Sequence, residues 1–353
     1  MGPEGAEGAP RSRRGRRRDR SWPPAEAVAP LPLPVTDNHA HLPVPGDEGG
    51  PGSEAPLSAP ELVERARAVG VSRIITSACE LPAWEPSLDL ARRLEGVRVA
   101  LAIHPNEAVS HAGVREVGPD GLEPRLLDHH ATPLDEAVAR LEETIRANRD
   151  AVVAVGESGL DFFRTGSRGA AVQRRALRAH IALAKELDLP LQIHDRDAHR
   201  ACVEALEADG APPRTVFHCF SGGRELARAC AEHGWYASVA GPLTYPANEE
   251  LRAAVAQIPQ DLLLVETDAP YLPPRQWRGR PNGSYLMGET VRFLAGLRGC
   301  GLEDLCRRLA ATTEEVYGTW PTRPTQSTQP AGTARTTPPA PSPVSGRPQA
   351  GVS

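Results

Sequence analysis

His39 and His41 flank a single alanine at the end of an apolar run, and on an extended strand side chains two residues apart point to the same side. Two imidazoles placed that way can chelate one ion. Similar runs end at His104-Pro105, Gly156-Glu157, Ile193-His194, Phe217-His218 and Glu266-Thr267-Asp268. His39, His41, His194 and His218 with Glu157 and Asp268 supply four imidazoles and two carboxylates, enough for two divalent cations that share a carboxylate and a water-derived oxygen. Each member alone has a plainer reading: His104 can cap a strand, Glu157 can pair with an arginine, His194 and His218 can be satisfied core histidines, and Asp268 can cap a turn. A buried Glu157 without an ion would, however, carry a large desolvation cost. The order of the whole set along the chain points to a metal site, with Glu266, two residues before Asp268 on the same face, supporting a ligand.

Eight short β-rich runs must position these residues: 35–41, 73–78, 97–104, 152–157, 191–194, 215–218, 236–239 and 262–268. Helical patterns lie between them. Leu177, Ile181, Ala184 and Leu187 recur at helical spacing, and the segment 223–233 ends at Gly234, a residue suited to a left-handed stop. The alternation predicts an α/β fold, a (β/α)8 TIM-type barrel over residues 35–320, whose site lies where the strands end. A doubly wound open sheet would call for a Gly-rich phosphate turn after the first strand, and the sequence has none there.

The flanks differ in kind. Residues 1–34 form an Arg/Pro-rich arm and residues 321–353 a Pro/Thr-rich tail, both predicted to be disordered. Prolines at 23, 24, 30, 32 and 34 prevent a hydrophobic signal segment from following the arginines. Six scattered cysteines without a CxxC pair predict a cytoplasmic protein with reduced thiols, and the lack of an apolar run of about 18 residues predicts no membrane association; a monomer is expected. The net charge of −5 conceals an uneven distribution: residues 1–20 carry +4 and residues 321–353 carry +3, which leaves −12 on residues 21–320.

Several segments resemble the TatD-type metal-dependent deoxyribonucleases, members of the wider group of metal-dependent hydrolases on (β/α) barrels. They are Asp37-Asn-His-Ala-His-Leu42, Ile103-His-Pro105, Gly156-Glu-Ser-Gly-Leu-Asp161, Ile193-His-Asp-Arg196, Phe217-His-Cys-Phe-Ser-Gly222, Glu266-Thr-Asp-Ala-Pro-Tyr271 and Arg278-Gly-Arg-Pro-Asn282. The resemblance implies that His39 and His41 hold a first metal, Glu157 bridges, His194 and His218 centre on a second, and Asp268 closes the site. Pro43, Asn106, the run Gly283-Ser-Tyr-Leu286 and the pair Thr312-Thr313 depart from the family pattern. Some relatives bridge their metals with a carbamylated lysine on strand four. Here the only lysine is Lys185, inside a predicted helix, and Glu157 takes that place.

The expected activity is two-metal hydrolysis of DNA or another nucleic acid by Mg, Mn or Zn, with Asp268 and Glu157 catalytic and Asp268 taking the proton of the attacking water. His104, Arg196, Arg278 and Asn282 are the expected phosphate contacts. Two alternatives stand beside it. One is hydrolysis of an aminoacyl-tRNA type ester or another small ester or amide; the other is a non-catalytic metal-binding scaffold.

Overall fold

Residues 19–45 and 56–322 are described in a computed structural model. The strands β1 (Val35–Ala40), β2 (Val71–Ala78), β3 (Val97–Leu101), β4 (Val152–Asp161), β5 (Leu191–Arg196), β6 (Thr215–Phe217), β7 (Tyr236–Val239) and β8 (Leu263–Val265) pair in parallel, each with the next in sequence. Beyond the ladder, β8 meets β1 where Asp268 N–H donates to His39 O at 2.9 Å and His41 N–H to Ala269 O at 2.7 Å. The Asn38 side-chain amide adds a bond to Val265 O at 2.8 Å. The expected barrel therefore closes at the residues expected to hold metal.

The helices, among the described residues, are α1 (Ala59–Ala68), α2 (Leu81–Arg93), α3 (Pro105–His111), α4 (Leu134–Ala147), α5 (Ser167–Glu186), α6 (His199–Asp209), α7 (Arg224–His233), α8 (Glu249–Val255), α9 (Met287–Arg298) and α10 (Leu302–Tyr317). Local chemistry sets their ends. The Glu61 carboxylate accepts the Ser58 N–H ahead of α1, and α7 stops at Gly234 in the left-handed conformation, φ 70°.

Apolar residues form two layers. Ile74, Val99, Leu101, Val155 and Phe217 belong to the layer that packs on the helices. Ile75, Ala100, Ala154, Val216 and Leu264 form a separate inner cluster with Val316, Tyr317 and Trp320 from the end of α10 and beyond. Trp320 Nε1–H donates to Gly96 O, just before β3, so this plug sits where the strands begin. The ends of the strands are left for the site.

Strand alternation continues the inner row upward: Val216 is followed two residues on by His218, and Leu264 by Glu266. Glu157 is out of phase with this pattern. Val155 packs outward, and strict alternation would send Glu157 outward too; the β4–β5 register shifts between Val155 and Ser158, which turns Glu157 into the barrel. Glycines let the chain pass closely here. A Cβ on Gly156 would lie 2.4 Å from Gln192 Cβ, and one on Gly159 would lie 1.9 Å from His194 O.

The folded body begins earlier than residue 35, which corrects the boundary expected for the N-terminal arm. Val28 and Leu31 are buried in the core, Tyr285 Oη–H donates to Pro23 O at 2.7 Å, and Arg280 donates to the carbonyls of Ser21 and Trp22. Prolines, read as a sign of disorder, here hold an extended chain against α9 and the segment before it. Residues 1–18 and 323–353, the remainder of both expected tails, lie outside the described residues. Among the described residues no helix is long and apolar enough to cross a membrane.

Candidate metal centre

The histidines expected to hold metal are oriented from behind. Gln192 spends its amide N–H groups on Asn38 O and Tyr317 Oη, each at 2.9 Å, so its carbonyl oxygen faces His39 Nδ1 at 3.0 Å. His39 must then donate from Nδ1, and its lone pair sits on Nε2. His41 donates from Nδ1 to Ser77 O at 3.2 Å, and His218 from Nδ1 to Glu266 Oε1 at 3.3 Å. Glu266 Oε1 also accepts Cys219 N–H at 2.6 Å, which fixes it as an acceptor.

Three imidazoles thus aim nitrogen lone pairs at carboxylate oxygens. Nε2 of His39 and of His41 lie 3.9 and 3.4 Å from Asp268 Oδ1, and His218 Nε2 abuts Glu157 Oε2. Lone pair against carboxylate is repulsive unless a proton or a cation stands between them. Burial drives the His39 pKa down to about 3, whereas at His41 and His218 the facing carboxylates outweigh burial and raise it, so His39 is the one of the three where no proton stands in for a cation. Its Nε2 is buried with no hydrogen-bond partner among the described residues. This donor set fits a metal.

Glu157 lies at the centre. Its Oε1 faces His41 Nε2 at 3.9 Å, while Oε2 faces His194 Nδ1 at 3.1 Å as well as His218. Burial alone would raise the pKa of Glu157, but His218 and His194 outweigh it and hold the carboxyl well below its usual range. His194 moves the opposite way: burial lowers its pKa, yet Asp161 and Glu157 lift it to about 9. Both shifts mark a place where opposite charges are packed closely. Side chains of His39, His41 and Asp268, of His39, Glu157 and His218, and of His104, Glu157 and His194 each bring donor atoms within 4.8 Å of one another.

A family model described as TatD related DNase matches residues 36–318. The chain belongs to the TatD-related DNase family. It is 36% identical over 288 residues to an uncharacterized metal-dependent hydrolase TatD of Mycobacterium tuberculosis, covering 80% of this chain and 98% of the relative. A protein of Erwinia amylovora named 3'-5' ssDNA/RNA exonuclease TatD is 33% identical over 266 residues, 73% of this chain and 93% of the relative. Among solved structures, the TatD homologue YjjV of Escherichia coli K12 superposes with a TM-score of 0.67 at 27% identity, covering 81% of this chain and 98% of the other. The chain is thus a metal-dependent hydrolase of the TatD group.

In this TatD-related barrel the six expected ligands converge, but the expected phosphate contacts do so only in part. His104 lines a pocket of about 480 Å³ together with His41, Glu157 and Tyr271. Its Nδ1 accepts Asn106 N–H at 3.1 Å, so the ring proton sits on Nε2, which points toward Glu157 Oε1 at 3.8 Å. That makes His104 a donor into the pocket, not a ligand. Asn282 is corrected to a positioning role: its amide nitrogen donates to Thr267 O at 2.9 Å and Tyr271 O at 2.6 Å, holding the loop after β8 and leaving no N–H for substrate. Arg196 stacks on Phe163 with 4.1 Å from guanidinium to ring centroid, and Arg278 on Tyr245 at 4.7 Å; neither is among the residues lining that pocket.

Sequence reasoning missed Asp161 and Gln192. Asp161 Oδ2 lies 3.4 Å from His194 Nε2 and accepts the Asn106 side-chain N–H at 3.1 Å. Its place four residues after Glu157 on the same strand was the available signal. Gln192, two residues before His194, shares its face and supports His39 across the barrel.

Proposed function

We propose that this chain hydrolyses phosphodiester bonds of nucleic acid, DNA foremost, with two divalent cations at the barrel mouth. The observation that carries the reading is the division of Glu157: one oxygen turned to His41, the other to His194 and His218. A carboxylate so placed suits a bridge, with His39, His41 and Asp268 on one side and His194 and His218 on the other. Cations held there would polarise a phosphoryl oxygen and acidify water. Asp268, whose Oδ1 lies 3.4 Å from His41 Nε2, would accept the proton of the attacking water. His104 Nε2–H donates to a phosphate oxygen or to the departing one. The Erwinia relative's name supports single-stranded DNA or RNA as substrate.

The test is a substrate panel of DNA, RNA and charged tRNA with the purified protein in Mg, Mn or Zn. Release of nucleotides from DNA is expected. Turnover confined to charged tRNA would replace the phosphodiester reading with ester hydrolysis, and no turnover on any of the three would overturn it.

A further inference from the structure

A second constellation of metal-binding side chains lies outside the barrel centre. Glu107 and His111 are four residues apart on α3 and so share one face, and His129 and His130 sit on a 3-10 turn, Asp128–Ala131, at the far end of the loop that follows. One donor atom from each of the four lies within 4.8 Å of one from each of the others. His111 is 5% exposed and donates from Nδ1 to Thr132 O at 2.7 Å, so its lone pair is on Nε2. That Nε2 is buried and has no hydrogen-bond partner among the described residues. His129 Nε2 lies 2.8 Å from Glu107 Oε2. His130 differs: its Nδ1 accepts Leu127 N–H at 2.8 Å, so Nε2 keeps its proton and donates to Glu107 Oε2 at 2.8 Å.

We propose that Glu107, His111 and His129 form a further metal site, for a borderline divalent ion of the zinc class, with His130 steadying the carboxylate. Two imidazoles and one carboxylate are a ligand set that zinc accepts, and a hydrogen-bonded outer partner on the carboxylate is the usual support for such a set. Mg and Ca prefer shells made wholly of oxygen, which this cluster lacks. The ion clips α3 to the 3-10 turn and closes the loop of residues 112–127 between them. Other bonds already hold that loop to the chain after β4: Arg168 donates to Arg115 O at 2.8 Å, and Gly169 N–H to Glu116 Oε2 at 3.1 Å. Because Glu107 also lines the active pocket, the clip fixes one wall of it, and His104 stands at the start of the same helix.

The experiment compares the chelator-stripped full-length protein with its His129→Gln and Glu107→Gln variants, all checked for fold by circular dichroism. Each is titrated with zinc against a chromophoric chelator and separately loaded with cobalt(II). The wild type is expected to take up one equivalent more than either variant, or to hold that equivalent more than about tenfold tighter. The cobalt difference spectrum should show the d–d absorption of a low-coordinate site. His129→Gln is the mild change, since His129 is partly exposed and Glu107 is its hydrogen-bond partner. Equal zinc uptake with equal affinity in the wild type and both folded variants would overturn the proposal. Metal at the barrel centre is counted in all three proteins, so failure there would be seen as a separate loss.

Discussion

At the scale of single residues, the centre separates groups that react from groups that aim them. Asp268 touches the reacting atoms in the proposed reaction, and its backbone N–H, which closes the barrel through His39 O, survives replacement by Asn. Asp268→Asn should lower kcat by roughly 10²–10⁴-fold while the circular dichroism spectrum is unchanged. A folded variant with full turnover would remove Asp268 from the proton-accepting role. Gln192 acts only through His39, so Gln192→Leu should read out differently. With Nδ1 released, the His39 ring can take the other tautomer, and metal affinity should fall by about 10–100-fold. Saturating metal should restore most of kcat, whereas a variant damaged in packing would not recover.

Elements carry the next level, and His180 on α5 shows how one helix sets a strand end. Its Nε2 accepts Ile103 N–H at 3.0 Å, next to His104, while Nδ1–H donates to Ala176 O at 2.7 Å. Both ring nitrogens are used in the neutral form, and burial lowers the pKa to about 4 from an ordinary 6.5. Between those values the unfolded chain binds the proton more readily, so this stability is present above pH 6.5 and is lost as pH falls toward 4. From pH 7 to pH 5 the wild type should lose about 2 kcal/mol more than His180→Gln in urea unfolding. Parallel pH profiles would mean that His180 does not carry the loss. The strands and their order were legible in the sequence because β-branched runs and ligand pairs share the period of two. Glu157 was expected in the converging set, but the register shift against β5 that turns it inward was not legible, because neither strand encodes it alone. The support of His39 by Gln192 and Tyr317 was hidden for a similar reason: the three residues meet only once the barrel is closed. Asn282 misled because an amide fits a phosphate oxygen and a backbone carbonyl equally well.

For the molecule as a whole, the N-terminal stretch is part of the scaffold. Compared with a chain that begins at residue 19, removal of 1–34 uncovers Tyr285 and takes away Val28 and Leu31, lowering Tm by at least about 5 °C. Equal melting of the two truncations would return 19–34 to the status of a free arm. Charge argues at the same scale. Residues 21–320 carry −12, and Glu157 and Asp268 add to the repulsion where a phosphate would have to sit. Two divalent cations reverse the sign at that point alone, so affinity for a polyanion should be local and metal-dependent. A labelled single-stranded oligonucleotide with phosphorothioate linkages, followed by fluorescence anisotropy, measures this without turnover. Binding should tighten by at least about tenfold from EDTA to Mn, and the gain should persist in a chain lacking residues 1–18 and 323–353. If the basic segments alone held the oligonucleotide, their deletion would abolish binding and Mn would make no difference. The barrel mouth would then not be the place where nucleic acid is recognised.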